Sequence, residues 1–318
     1  MTRVKAVENG ARLFKLKKSS YLKRSWMLYA MLALPMAFFI IFRYIPMTNI
    51  VIAFKDYNIF QGVWSEGSPW VGWKWFERAF ATRDFWRAVR NTLWLNFLDL
   101  LMGFPAPIIL ALILNELVFK NFKRLTQTII YLPHFLSWII VRSIATRLLA
   151  PSTGIVNIFL AENFGIGPID FLMTNSNWIM TYILFGVWKE MGWGTIIYLA
   201  AITAINPELY EAAEVDGAGR WRKLWHVTLP GIRATIVVLL IINIGRILGI
   251  ELDRPYTMMN DIVIEVADVL STLVYRLGIR SFQFSLTAAI GLFQSVICVI
   301  FLVAANTFAK KFGERGIW

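Results

Sequence analysis

Charge is scarce in this sequence. Only 16% of its 318 residues are Asp, Glu, Lys or Arg, where a water-soluble domain carries about 25%. Apolar residues make up 58%, so lipid suits the chain better than water. Cysteine is almost absent. Cys298 stands alone, which excludes an intrachain disulfide and a cysteine zinc cluster, and within its apolar run it reads as a small buried hydrophobe. The two histidines, His134 and His226, offer no metal-ligand spacing, so no metal is expected. A Gly-x-x-x-x-Gly-Lys-Ser/Thr phosphate loop is missing, so the chain does not hydrolyse ATP itself. No His-Glu-x-x-His, Gly-x-Ser-x-Gly or paired acidic motif points to a membrane enzyme, and no catalytic residue is assigned. Internal repeats are also missing, and with them the repeated halves common in ATP-independent secondary transporters.

What the sequence has is long apolar runs. A bilayer core of about 30 Å needs roughly 20 apolar residues per helix. Six stretches qualify, near residues 26–50, 85–114, 125–149, 178–205, 232–250 and 283–308. The expected fold class is an all-α membrane protein with six transmembrane helices over 26–308. The net charge of +12 does not indicate nucleic acid, because the basic residues gather at the ends of apolar segments, as cytoplasmic membrane flanks do. The 14 Trp, 10 Tyr and 24 Phe suit a chain with two membrane interfaces.

The basic clusters set the orientation. Arg3, Lys5, Arg12, Lys15, Lys17, Lys18, Lys23 and Arg24 mark residues 1–25 as a cytoplasmic segment ahead of an uncleaved first helix. Lys120, Lys123 and Arg124, then Arg220, Arg222 and Lys223, and finally Lys310, Lys311 and Arg315 in a tail at 309–318 fall on the same side if the spans number six. Both termini are then cytoplasmic. Residues 151–177 contain no Lys or Arg, and 251–282 hold more acids than bases. The loop at 51–84, with Gly62, Gly67, Pro69 and Gly72 among aromatics, reads as a folded extracellular excursion.

Between the fourth and fifth spans lies a cytoplasmic segment, residues 206–231. Asn206 can cap a helix and Pro207 suits its first turn. Glu208, Glu211 and Glu214 bring negative charge near the N-terminus, where the macrodipole favours it. Ala212 and Ala213 leave room for close approach, and Gly217 and Gly219 end the helix. A second short helix over 220–227 carries Trp221, Leu224 and Trp225 on one face, and Pro230 is expected to break it before the fifth span. By residue chemistry alone the segment reads equally as an inert amphipathic connector on the membrane surface.

The spacing Glu211-Ala212-Ala213, three residues, Gly217, nine residues, Val227, Thr228, Leu229-Pro230 resembles the EAA loop of bacterial importer permeases of the ATP-binding-cassette type. Only the family's Ile differs, replaced here by Val227. The resemblance implies a type I importer permease fold and a helix that docks in a groove of a separate ATPase. It assigns docking roles to Glu208, Glu211, Ala212, Ala213, Asp216, Gly217, Ala218, Leu229 and Pro230. It also implies the partners: a second related permease, two copies of the ATPase carrying ATP and Mg, and an extracytoplasmic solute-binding protein, all at the bacterial cytoplasmic membrane. No cofactor is implied for this chain.

The likeness extends over most of the chain. Residues 42–62, 91–117 and 266–297, with Asn306 and the terminal Gly316-Ile317-Trp318, are similar to the LplB-like polysaccharide and oligosaccharide branch of the maltose-type carbohydrate importers. Permeases of the bacterial alginate importer belong to this branch. An acidic glycan such as alginate is therefore one cargo it implies, beside a neutral oligosaccharide, while peptide importers share only the docking loop.

Polar groups within spans are functional candidates by default. A sugar path needs hydrogen-bonding groups and flat aromatic faces. Trp188, Glu190, Trp193, Tyr198, Asn243, Arg246 and Gln294 fit that need, with Arg246 suited to a carboxylate. The competing assignment is pairing between helices, Lys189 or Arg246 with Asp99 or Glu190. Pro35, Pro105, Pro107 and Pro133 are expected to kink the first three spans.

Overall fold

The computed structural model describes residues 25–249, 251–311 and 316–317. The basic cluster at 1–24, Arg315 and Trp318 lie outside the described residues. Helix is the regular structure throughout, apart from one antiparallel bridge between Lys55 and Trp70. The chain divides into two units, Met1–Val71 and Gly72–Trp318.

In the first unit, helix α1 (Trp26–Phe39) passes Pro35 and runs on through a π-turn at Ile40–Tyr44 and a 3₁₀ turn at Thr48–Phe54. The result is a 29-residue apolar stretch ending at Phe54, longer than the expected 26–50. Residues 26–50 are all exposed in the isolated chain. A helix that is apolar on every side has lipid or another chain as its natural surroundings. Beyond it the excursion is folded, as expected. Lys55 is buried, donates to the carbonyl of Val63 at 2.7 Å and lies over the rings of Trp64 and Trp70. The Ser68 hydroxyl donates to the carbonyl of Gly62 at 2.8 Å.

The second unit begins with α2 (Lys74–Ala81). Helices α3 (Arg83–Gly103) and α4 (Pro105–Asn115) come next and together form a 33-residue apolar stretch. Pro105 opens α4, where its missing N–H goes unneeded. Then come α5 (Lys120–Tyr131), α6 (Trp138–Leu148), α7 (Ile155–Phe164) and α8 (Asn175–Thr203). The segment at 206–231 holds α9 (Pro207–Val215) and α10 (Arg220–Lys223), and α11 (Leu229–Gly245) continues from it. The short α12 (Asp253–Met258), α13 (Ile264–Ala267) and α14 (Leu270–Tyr275) precede α15 (Phe284–Lys311).

Four stretches among the described residues are long and apolar enough to cross a membrane: Trp26–Phe54, Arg83–Asn115, Arg220–Gly245 and Phe284–Lys311. The third expected span is not one straight helix. Lys120–Phe135 and Trp138–Leu148 meet at 103°, and counting them as one span makes five. The break lies just past Pro133, which cannot donate an N–H. Leu136 and Ser137 are extended, and Ser137 caps the new helix by accepting from the Ile140 N–H at 3.4 Å. The fourth expected span, α8, has 29 residues. Trp178, Trp188, Trp193, Lys189 and Glu190 make it too polar to join the apolar set.

Pro230 does not break the chain, contrary to the sequence expectation. Arg220–Gly245 is one continuous helical stretch. A π-turn at Leu224–Thr228 lies just ahead of the proline, and Pro230 sits in the first turn of α11. The wider turn accommodates the missing N–H without ending the helix.

Helix α8 is the centre of the second unit and packs on α3, α4 and α11. Trp178, Tyr182 and Ile183 meet Leu95, Met258 and Val263 in one cluster. Tyr198 and Ile202 meet Ala111 and Ile232 in another. The buried Trp178 indole donates to the carbonyl of Met258 at 2.9 Å.

Candidate functional site

The segment at 206–231 is built as its residues dictate. The Asn206 carbonyl oxygen on its side chain accepts from the Glu208 N–H at 3.1 Å, and Pro207 occupies the first turn of α9. At the other end Gly217 takes φ +72°. The Ala218 N–H donates to Ala213 O at 2.8 Å and the Gly217 N–H to Glu214 O at 3.0 Å. That pair of bonds is the Schellman stop, which glycine adopts without Cβ strain. Two side-chain contacts fasten α9 to the helical stretch that begins at Arg220. The hydroxyls of Tyr210 and Thr228 are 3.0 Å apart, and Lys223 Nζ is 2.5 Å from Glu214 Oε1. The lysine lowers the Glu214 pKa by hydrogen bonding and then by charge. Glu208, Glu211, Ala212, Asp216, Gly217 and Pro230 are exposed, while Ala213, Ala218 and Leu229 are half-buried. Leu209 and Val215 add exposed apolar surface, and so do Trp221 and Trp225.

A cavity of about 420 Å³ lies between α3, α4, α8 and α11. Five of the seven sequence candidates for the path line it: Glu190, Trp193, Tyr198, Asn243 and Arg246. Two do not. The Trp188 ring lies against Phe185, and Gln294 donates to the carbonyl of Leu248 at 2.7 Å, away from this cavity. Arg246 is exposed to the cavity and makes no ion pair among the described residues. A second chamber of about 580 Å³ lies beyond, lined by His134, Ser137, Trp138, Lys189, Glu251 and Asp253 among others.

Charges in the spans do pair between and along helices. Lys189 Nζ reaches Glu190 Oε1 at 2.9 Å and the carbonyl of His134 at 2.9 Å. The other Glu190 oxygen is 2.8 Å from His134 Nδ1. The His134 ring stacks on Trp193 at 4.6 Å. Asp99 pairs with Arg254, a residue absent from the sequence candidates, through two bonds of 2.7 and 3.1 Å. Arg254 also donates to the carbonyl of Tyr182 at 2.6 Å.

Another charged centre was not singled out from the sequence. The carboxylate of Asp268 is wholly buried between Arg87 at 3.2 Å and Arg276 at 2.8 Å. Thr272 donates to it at 2.8 Å, and Asn91 donates to the backbone carbonyls of Glu265 and Asp268, each at 2.9 Å. The Leu270 N–H donates to Thr92 Oγ1. These bonds fix the 264–276 segment to α3. Similarly, Arg142 ties α6 to α12 through the carbonyls of Thr257 and Met259. Among the described residues no group of three or more His, Cys, Asp or Glu gathers as a metal site.

Comparison with known proteins fits this arrangement. Residues 90–314 match the family described as binding-protein-dependent transport system inner membrane component. The chain belongs to this family. Protein LplB of Bacillus subtilis is 46% identical over 298 residues, covering 93% of this chain and 92% of that protein. The polygalacturonan/rhamnogalacturonan transport system permease protein YteP of the same organism is 47% identical, covering 92% and 90%. A chain in the crystal structure of a bacterial ABC transporter involved in the import of the acidic polysaccharide alginate superposes with a TM-score of 0.83 at 41% identity. That match covers 94% of this chain and 99% of the other. The same transporter type, solved with an alginate pentasaccharide-bound periplasmic protein, gives 0.84 at 40% identity. The family member described here is thus a multi-pass inner-membrane permease subunit of an ABC importer with the type I fold, a transport subunit rather than an enzyme.

Proposed function

We propose that this chain forms half of the translocation path of an importer for an acidic oligo- or polysaccharide, alginate being one candidate. The observation that carries the reading is the cavity between α3, α4, α8 and α11. Trp193 offers an aromatic face for a pyranose ring, Asn243 offers an amide for hydroxyls, and the buried Tyr198 closes the wall beside them. Arg246 supplies a guanidinium with no ion-pair partner among the described residues, the group best matched to a sugar carboxylate. Relatives named for alginate and polygalacturonan, both chains of sugar acids, support the same cargo class.

The family plan supplies the remainder of the machine. The chain pairs with a second, related permease. Two copies of an ATPase bind on the cytoplasmic side, where the exposed Glu211 and Ala212 of α9 and Asp216 at its C-cap enter a groove, and a solute-binding protein delivers cargo from outside. Six crossings, with α8 and the bent pair among them, keep the described basic clusters Lys120–Arg124 and Arg220–Lys223 in the cytoplasm with Lys310 and Lys311. Both termini are then cytoplasmic, and the 51–84 excursion is extracellular.

The test is reconstitution in vesicles with the partner permease, the ATPase and the binding protein. ATP hydrolysis and uptake should rise with binding protein loaded with a polyuronate. Arg246→Gln should lower that uptake about tenfold, the scale of one lost charge-assisted hydrogen bond. Equal uptake of a neutral oligosaccharide of the same length would overturn the acidic cargo.

A further inference from the structure

The two chambers share one partition. Asn96, Asp99, Glu190, Gly249 and Arg254 line both. Within and beside this partition sit two cations, each held by a carboxylate: Arg254 by Asp99 and Lys189 by Glu190. Both cations also lie 5.2 Å from the centre of one indole ring, that of Trp138. Neither cation is free in solvent. The Lys189 and Arg254 side chains are only 8% and 13% exposed, whereas those of Glu190 and Asp99 are 49% and 26% exposed. The anions are therefore the more exposed partners, and the cations, although Arg254 lines both chambers and Lys189 the second, are the more buried ones.

This asymmetry has a chemical consequence. Buried cations need a carboxylate in place, because an uncompensated buried charge is strongly unfavourable. They do not need a particular carboxylate. A sugar acid presents the same planar, bidentate group as Asp or Glu. It can take over Arg254 or Lys189 while Asp99 or Glu190 swings into the water of a chamber. A neutral sugar offers nothing to exchange, and opening the partition for it would strand both cations.

We propose that the pairs Asp99–Arg254 and Glu190–Lys189 form a gate between the two chambers that opens by carboxylate exchange with the cargo, so that Asp99 and Glu190 are specificity-determining residues. This rests on the acidic-glycan reading above and adds how the path enforces it. No covalent bond changes; one ion pair replaces another.

The experiment is equilibrium binding of a labelled uronic-acid pentasaccharide, and of the same glycan with its carboxyls reduced to alcohols. The receptor is the purified full complex in vesicles without binding protein. Wild type should prefer the uronate. Glu190→Gln, which alters the more exposed anion, should tighten uronate binding at least fivefold by removing the internal competitor and leave the reduced glycan unchanged. Asp99→Asn should act in the same direction. Glu251→Gln removes a carboxylate that lines the second chamber and pairs with neither cation, so it should change uronate binding less than twofold. If Glu251→Gln tightens binding as much as Glu190→Gln, a general field explains the effect and the exchange gate is wrong. If wild type prefers the uronate but Glu190→Gln leaves its affinity unchanged or weaker, the gate fails while the acidic-cargo reading stands. If wild type shows no preference, the cargo reading itself fails.

Discussion

The hydroxyl of Tyr210 lies 3.0 Å from the hydroxyl of Thr228. Tyr210 belongs to α9, the helix proposed to dock the ATPase, and Thr228 ends the π-turn from which α11 grows. Asn243 lies near the far end of α11 and Arg246 immediately after it. If α9 docks the ATPase as proposed, its displacement would be handed directly to the helix that carries Asn243 and leads into Arg246.

Tyr210→Phe removes this bond and keeps the ring. One hydrogen bond contributes about 0.5–1.5 kcal/mol, so the complex should still assemble. The ratio of glycan imported to ATP hydrolysed should fall severalfold, measured in vesicles at saturating loaded binding protein. An unchanged ratio would show that force passes by another route.

Gly217 tests the turn itself. A Cβ there would meet nothing within 4 Å, so any penalty comes from the positive φ alone. Gly217→Val should cost about 1–3 kcal/mol of local stability and weaken capture of the ATPase on immobilised permease. Gly217→Asn should retain most of it, because asparagine tolerates the left-handed region. Equal loss in both variants would point to the surface rather than the turn.

Asp268 is the buried anion of a three-charge centre. Asp268→Ala leaves Arg87 and Arg276 without it, and breaking a buried pair this way costs about 3–5 kcal/mol. The purified protein should melt well below wild type in detergent, or fail to accumulate in the membrane. A melting temperature within about a degree of wild type would mean that Glu265 and Asp84, which also lie near Arg87, carry the charge balance.

The Glu214–Lys223 pair gives a prediction for pH. Lys223 holds the Glu214 pKa below its ordinary 4.5. A carboxylate with a lowered folded value stabilises the structure above its unfolded pKa and loses that contribution as pH falls through the lowered value. Fastening of α9 should therefore be constant from about pH 8 to pH 6, a range above both the folded and the unfolded value of Glu214. Carboxyl NMR of labelled glutamate should show Glu214 titrating below the ordinary 4.5. Lys223→Met should raise it back toward that value.

What could be read from the sequence is what local chemistry decides. Asn206, Pro207 and Gly217 mark the ends of α9 because a cap, a first-turn proline and a left-handed stop act over four residues. The folded character of the 51–84 loop was legible in the same way. The five path candidates that line one cavity stood out because polar groups in apolar helices are rare. Partners distant in sequence were not legible. Arg254 meets Asp99 across 155 positions, and Arg87 meets Asp268 across 181; no periodicity links them. Gln294 was a reasonable candidate by type, yet its bond to Leu248 depends on how α15 packs. The 103° break after Pro133 and the passage of the helix through Pro230 depend on whether neighbouring turns can absorb a missing N–H, which residue type alone does not determine.

The π-turn at Leu224–Thr228 also sets a phase. Such a turn amounts to one extra residue inserted in an α-helix, and each residue advances the helix by about 100°. Everything C-terminal to it, Asn243 and Arg246 included, is rotated by that amount from where an unbroken helix would place it. Azimuth along α11 is thus set at residues 224–228, well before the chain reaches the cavity. A single-residue deletion at 224–228 would leave the composition of the span untouched and still turn its polar residues to a different side.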